Sequence, residues 1–113
     1  MKEYDKLVRD KIPQIIERSG SECEIEQVDD KTALEYLYKK LMEETSELLM
    51  DKNIEEVIDV IEVAFTIGKL YGYDVEDIMW LKETKVRNKG GFEENIVLKK
   101  VYRGNNKWLK IIL

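Results

Sequence analysis

Eight carboxylates stand within the twenty residues from Glu43 to Glu62, in the segment EETSELLMDKNIEEVIDVIE. Carboxylate oxygens are ligands of hard divalent cations, and protein-bound Mg²⁺ commonly uses one or two of them together with substrate phosphates. The chain has no histidine, and an all-oxygen ligand set favours Mg²⁺ or Mn²⁺ over zinc. The alternative is a solvated helix surface whose acids pair with neighbouring lysines.

A first long helix is predicted from about Ala33 to Met50, with Asp30 or Thr32 as its N-terminal cap. At about 100° per residue, Glu44 falls at the edge of the apolar stripe of this helix, and Glu47 lies further round on the same side. The stripe consists of four leucines at helical spacing: Leu34, Leu37, Leu41 and Leu48.

A second long helix is predicted from about Ile54 to Tyr71, and it is apolar around most of its circumference. Glu56 and Asp59 straddle the boundary between its polar and apolar surfaces. If the two helices pack antiparallel, this pair faces Glu44 and Glu47. Four converging acids would repel one another by several kcal/mol at about 4 Å, and a divalent cation removes that cost. Three other acids are expected to be solvent-exposed: Glu43, Asp51 and Glu55. The role of Glu62 is left open.

Three further elements are predicted along the chain, two before this pair of helices and one after it. The segment DKIPQIIERSG predicts a short helix, with Pro13 in its first turn and Gly20 at its end. Apolar and polar residues alternate in ECEIEQVDD, which predicts a short strand or an extended connection. DVEDIMWLKETKVRNK predicts a third main helix, capped by Asp74.

The fold class predicted is mainly α, a helical bundle with a small C-terminal β-hairpin or extended tail. The hairpin is expected around the turn signal Gly104–Asn105–Asn106. A length of 113 residues without a linker predicts one domain, residues 1–113.

Composition narrows the class of protein. A net charge of −5 disfavours non-specific nucleic-acid binding, which relies on lysine and arginine. The absence of histidine excludes Ser-His-Asp and Cys-His catalysis, and the single cysteine excludes an intrachain disulfide. No signal peptide or membrane-spanning run is apparent. A soluble cytoplasmic protein without a membrane partner is expected.

Three segments of the chain resemble segments that occur in the same order in a known protein superfamily. EETSE followed by EEVID resembles the ExxE…ExxD signature of the all-α NTP pyrophosphohydrolase superfamily, which includes MazG-like and phosphoribosyl-ATP pyrophosphohydrolase-like proteins. YDKLVRDKIPQII and KVRNKGGF resemble its branch of predicted house-cleaning nucleotide pyrophosphatases. The likeness covers about residues 4–101, although the spacing between Glu47 and Glu56 is short for the superfamily.

The resemblance implies a MazG-like bundle that forms a homodimer or a dimer of dimers. It also implies hydrolysis of a nucleoside triphosphate to the monophosphate and pyrophosphate, a house-cleaning reaction on non-canonical nucleotides. Glu47 is the candidate for orienting or deprotonating the attacking water. The implied Mg²⁺ ligands, with Mn²⁺ as the other candidate ion, are Glu44, Glu47, Glu56 and Asp59.

Two basic segments could then meet the triphosphate, because arginine offers bidentate contacts and lysine a mobile point charge. For each residue the alternative is solvated surface. Two other functions stay open: phosphoribosyl-ATP pyrophosphohydrolase, and a non-catalytic helical oligomerisation or regulatory module. The candidate substrate-binding residues are Arg9, Lys11, Lys85, Arg87 and Lys89.

Overall fold

The computed structural model of the chain describes residues 1–102 and 112–113. The predicted mainly α class is confirmed, and no strand occurs in the described residues. ECEIEQVDD forms a connection without a strand, and the turn of the predicted hairpin lies outside the described residues. Residues 1–102 contain four α-helices: α1 (Ile12–Arg18), α2 (Asp30–Asp51), α3 (Ile54–Leu70) and α4 (Val75–Lys89).

The chain divides into two compact units, Met1–Leu81 and Lys82–Leu113. The first unit contains α1, α2, α3 and the beginning of α4. The second contains the rest of α4 and a segment up to residue 102 without helix or strand. No helix in the described part of the chain is long and apolar enough to cross a membrane.

Asparagine and aspartate side chains define where the long helices begin. The cap of α2 is Asp29, one residue before the predicted Asp30, and its Oδ1 accepts the Thr32 N–H at 2.9 Å. α2 ends at Asp51, and its C-cap Lys52 adopts a left-handed conformation with φ +51°. Asn53 follows at once and caps α3. The two helices are therefore joined by two residues.

α2 and α3 form an antiparallel pair. The hydroxyls of Tyr38 and Tyr71 lie 2.6 Å apart, which brings the early part of α2 against the residue after α3. Leu37, Val63 and Ile67 form the buried centre between the helices. Most of the predicted leucine stripe belongs to this contact, because the partly buried side chains packed against the centre are Leu7, Leu34, Leu41 and Leu70.

The start of α4 is fixed by a reciprocal capping box. The Asp77 N–H donates to Asp74 Oδ1 at 2.8 Å, and the Asp74 N–H donates to Asp77 Oδ2 at 3.1 Å. The predicted Asp74 cap is thus confirmed. Ile78 then packs so closely on Gly68 of α3 that a Cβ on Gly68 would lie 2.5 Å from the Ile78 side chain.

The segment before α1 lies along α2 and α3. Tyr36 donates its hydroxyl proton to Asp5 Oδ1 at 2.5 Å, and Leu7 packs against the buried centre. This anchoring brings the basic residues that precede α1 beside the acid-rich parts of the two helices.

Candidate metal centre

Glu44 is the buried acid of the helix pair. Only 6% of the residue is exposed, although the sequence pattern places it merely at the edge of the apolar stripe. Its Oε1 lies 3.3 Å from the Lys40 Nζ, one turn earlier on α2. Its Oε2 is buried and has no hydrogen-bond partner among the described residues. A buried carboxylate oxygen without a partner is costly, so a ligand at this position would be stabilising.

Two acids of α3 complete the first carboxylate group, which consists of Glu44, Glu56 and Asp59. One oxygen from each lies within 4.8 Å of the other two. Glu56 Oε2 is also buried without a hydrogen-bond partner. Mg²⁺ bonds of about 2.1 Å require ligand oxygens within about 4.2 Å of one another, so small side-chain rotations would close the group around an ion.

A second carboxylate group lies on α2 alone and consists of Glu43, Glu44 and Glu47, again with oxygens within 4.8 Å. Glu44 belongs to both groups. The four predicted ligands therefore do not form one ring in this structure: Glu47 joins Glu44 on one side, and the two α3 acids join it on the other. Glu43 was expected to be solvent-exposed, but it is half-buried.

The charges of the cluster shift several pKa values. Burial raises the pKa of Glu44, and the charges of Glu47 and Asp59 add to this while Lys40 opposes it. Desolvation also raises the pKa of Glu56, with further contributions from the surrounding acids. These directions mean that the metal-free site resists full ionisation.

Within the described residues, three cations contact the acids of the two carboxylate groups. Lys40 Nζ is 3.5 Å from Glu43 and is largely buried, rather than a surface partner. Lys6 Nζ donates to Glu43 Oε1 at 2.7 Å, and this contact lowers the pKa of Glu43. Arg9 donates to Asp59 Oδ1 at 2.8 Å.

The contacts of Lys6 and Arg9 were missed from the sequence. Their partners are 37 and 50 residues away, and helical periodicity describes only neighbours along one helix. For Glu43 a local signal existed, because Lys40 lies three residues earlier on the same helix. The expectation that some of the acids pair with neighbouring lysines is met by this contact between Lys40 and Glu43.

Of the other predicted substrate-binding residues, one belongs to the first compact unit and three belong to the second. Lys11 is exposed at the start of α1. Lys85, Arg87 and Lys89 are exposed on the last turns of α4, in the second unit, and Arg87 donates to the Thr84 hydroxyl at 3.1 Å. Three further acids of the opening segment are exposed on α2 and α3: Asp51, Glu55 and Glu62.

Comparisons with protein-family models, with curated proteins and with solved structures found no match to this chain. Membership of the all-α NTP pyrophosphohydrolase superfamily therefore stays a prediction that rests on the three sequence segments.

Proposed function

We propose that this chain is a Mg²⁺-dependent nucleoside triphosphate pyrophosphohydrolase, with Mn²⁺ as an alternative ion. The observation that carries the proposal is the buried Oε2 of Glu44, which has no hydrogen-bond partner among the described residues, on a side chain that groups with the carboxylates of Glu56 and Asp59. A solvated acidic surface leaves its carboxylate oxygens accessible to water, whereas Oε2 of Glu44 is buried away from water and from any hydrogen-bond donor in the described residues, which is costly. A divalent cation would satisfy these oxygens and neutralise the charge.

In this proposal Glu44, Glu56 and Asp59 hold the cation. A bound Mg²⁺ supplies charge stabilisation for phosphate oxygens and for the pyrophosphate leaving group. Glu47 is next to Glu44 in the second carboxylate group and is half-buried. We assign it to accept a proton from the water that attacks phosphorus, a step that breaks the α–β phosphoanhydride bond and releases the monophosphate and pyrophosphate.

The same proposal assigns phosphate binding to basic residues. Arg9 is already beside the site through its contact with Asp59, and a guanidinium can make two parallel hydrogen bonds to a phosphate. The remaining candidates are Lys11, Lys85, Arg87 and Lys89. Non-canonical nucleoside triphosphates are the proposed substrates.

The test is an assay of pyrophosphate release. The protein is incubated with canonical and modified nucleoside triphosphates, and separately with phosphoribosyl-ATP, each with Mg²⁺. We expect release that requires the metal and is lost in Glu44→Gln and Asp59→Asn, while circular dichroism shows intact helices. Glu62→Gln is the matched control, because this exposed acid of α3 belongs to neither carboxylate group. Release from phosphoribosyl-ATP alone would support the narrower function instead.

A non-catalytic helical module is the outcome if no substrate is cleaved and Mg²⁺ and Mn²⁺ leave the melting temperature unchanged. Loss of activity in Glu62→Gln to the same extent as in Glu44→Gln would also contradict the assignment of the ligands.

We propose in addition that the protein acts as a homodimer or a dimer of dimers. Only three apolar side chains are buried in the described part of the chain, which is few for a stable core. The outward sides of α2 and α3 carry large exposed apolar residues, which a second copy would cover: Met42, Leu49, Met50, Ile54, Ile58 and Ile61. Sedimentation of the wild type and of Ile58→Glu tests this, and a monomeric wild type would refute it.

A further inference from the structure

The N-terminal segment places one cation on each carboxylate group. Lys6 contacts Glu43 at 2.7 Å, and Arg9 contacts Asp59 at 2.8 Å. The two cations occupy different groups, since Glu43 belongs to the α2 group and Asp59 to the group shared by α2 and α3. The segment therefore supplies positive charge where the helices concentrate negative charge.

Arg9 and a divalent cation would compete for the same carboxylate. Glu44, which is more than nine-tenths buried, belongs to the group that contains Asp59, and its buried Oε2 has no hydrogen-bond partner among the described residues. An ion held there lies within a few ångströms of the Arg9 guanidinium, and two like charges at that separation repel by several kcal/mol. The ion pair between Arg9 and Asp59 is partly exposed, with 55% and 35% of the side chains accessible, and such pairs are weak. A divalent cation is therefore expected to displace the Arg9 guanidinium from Asp59.

We propose that a divalent cation bound by Glu44, Glu56 and Asp59 displaces Arg9 from Asp59, and that the released guanidinium then binds the phosphates of the substrate. This inference rests on the proposed function, and it adds an order of events. Metal binding creates the phosphate-binding state of Arg9, and in the metal-free protein Arg9 partly neutralises the acids.

The geometry makes this exchange a local movement. The chain on either side of Arg9 is held by other contacts, because Leu7 packs on the buried centre and the Ile12 N–H donates to the Arg9 carbonyl at 3.0 Å. Rotation of the Arg9 side chain alone is enough to leave Asp59. A planar guanidinium that remains beside the cation is suited to a phosphate that the cation also contacts.

The first test is a titration with Mn²⁺ alone, followed by the electron paramagnetic resonance signal of free Mn²⁺. Because the ion no longer has to displace a guanidinium, Arg9→Ala should bind Mn²⁺ about two- to five-fold more tightly than the wild type. Arg18→Ala is the control, since it removes the same charge from an exposed arginine outside the carboxylate groups and outside the proposed phosphate-binding residues. Equal tightening in both variants would overturn the exchange, because it would reflect net charge only.

The second test measures the accessibility of Arg9 by modification with an arginine-specific dicarbonyl reagent and mass spectrometry. Saturating Mn²⁺ should increase modification of Arg9, and inorganic triphosphate added with Mn²⁺ still in excess should decrease it again. Arg18, exposed in the last turn of α1, should stay constant.

The outcomes separate the two proposals. Mn²⁺ binding that leaves Arg9 modification unchanged overturns the exchange and leaves the metal-dependent function intact. A wild-type protein that binds no Mn²⁺ overturns both.

Discussion

Replacing Glu44 by glutamine should stabilise the metal-free protein, which is unusual for a buried residue. Glutamine keeps the shape of glutamate and can still accept a hydrogen bond from Lys40. It removes one negative charge from both carboxylate groups, and its amide N–H groups can donate to the acids of α3. The sign of the effect on the free energy of unfolding therefore depends on whether the negative charge of Glu44 is favourable in the absence of metal.

The magnitude follows from the distances. Two unit charges 4.8 Å apart repel by about 3.5 kcal/mol at an effective dielectric constant of about 20. Glu47 and Glu56 each lie within this distance of Glu44, and no ion pair to either is found in the described residues. Lys40, 3.3 Å from Glu44, attracts it by about 5 kcal/mol on the same scale. The two repulsions exceed this attraction by about 2 kcal/mol, and solvent screening reduces the expected gain to about 1–2 kcal/mol.

The assay is urea unfolding followed by circular dichroism at pH 7.5, with a chelator and then with saturating Mg²⁺. With the chelator, Glu44→Gln should be more stable than the wild type by about 1–2 kcal/mol. With Mg²⁺ at about 100 times its dissociation constant, the wild type should gain about 2.7 kcal/mol. The variant has lost a ligand and should gain much less, so the order of stability inverts.

The control is Glu62→Gln, an exposed substitution on α3 that should change stability by less than about 0.5 kcal/mol in both conditions. A metal-free Glu44→Gln protein that is less stable than the wild type would refute the electrostatic reasoning. An unchanged order of stability in Mg²⁺ would refute the assignment of Glu44 as a ligand.

Three further predictions concern pH, packing and capping. Because burial raises the folded-state pKa of Glu44 above its ordinary 4.5, this carboxyl binds more protons in the native state than in the unfolded state, and its contribution to metal-free stability falls as pH rises above that value. In urea titrations with a chelator, the difference in the free energy of unfolding between Glu44→Gln and the wild type should thus vanish near pH 4 and grow towards pH 7. A difference that does not depend on pH would contradict this prediction. Leu37→Ala, at a position only 3% exposed, should cost about 2–5 kcal/mol in thermal or urea unfolding. Ile25→Ala, at a 63% exposed position outside the proposed dimer surface, should cost less than about 0.5 kcal/mol. Equal losses in the two variants would contradict the assignment of Leu37 to the core. Asn53→Ala removes the side-chain acceptor of the Glu56 N–H and should cost about 1 kcal/mol, whereas Asn53→Asp should retain most of the stability in the same experiment.

The helices were predictable because their signals are local. The leucine stripe indicated the face of α2 that packs on α3, and Asp74 with Asp77 three residues later indicated the start of α4. The cap of α2 was predicted one or more residues too late, because three polar residues in succession, Asp29, Asp30 and Lys31, leave the boundary ambiguous. The periodic pattern alone does not distinguish between neighbouring caps.

The site was predictable only in part, since it depends on contacts between distant parts of the chain. Helical phase brought Glu44 close to the apolar face, but burial of its carboxylate requires the packing of α3 and the N-terminal segment. The half-burial of Glu43 and the pairing of Arg9 with Asp59 follow from where residues 5–9 lie. No periodicity in the sequence encodes that position.

The connection between α2 and α3 has a consequence for how such a chain can change during evolution. Only Lys52 and Asn53 separate the helices, so the connection is too short to accommodate a change in length without moving one of the helices. Inserting one residue between Glu47 and Lys52 would rotate the following part of α2 by about 100° relative to its acids, and α3 would follow. Substitutions on the exposed faces leave the carboxylate geometry intact, whereas the insertion or deletion of a single residue in this segment would separate Glu44 from Glu56 and Asp59. A one-residue change in length should therefore be tolerated less well here than a change in residue identity.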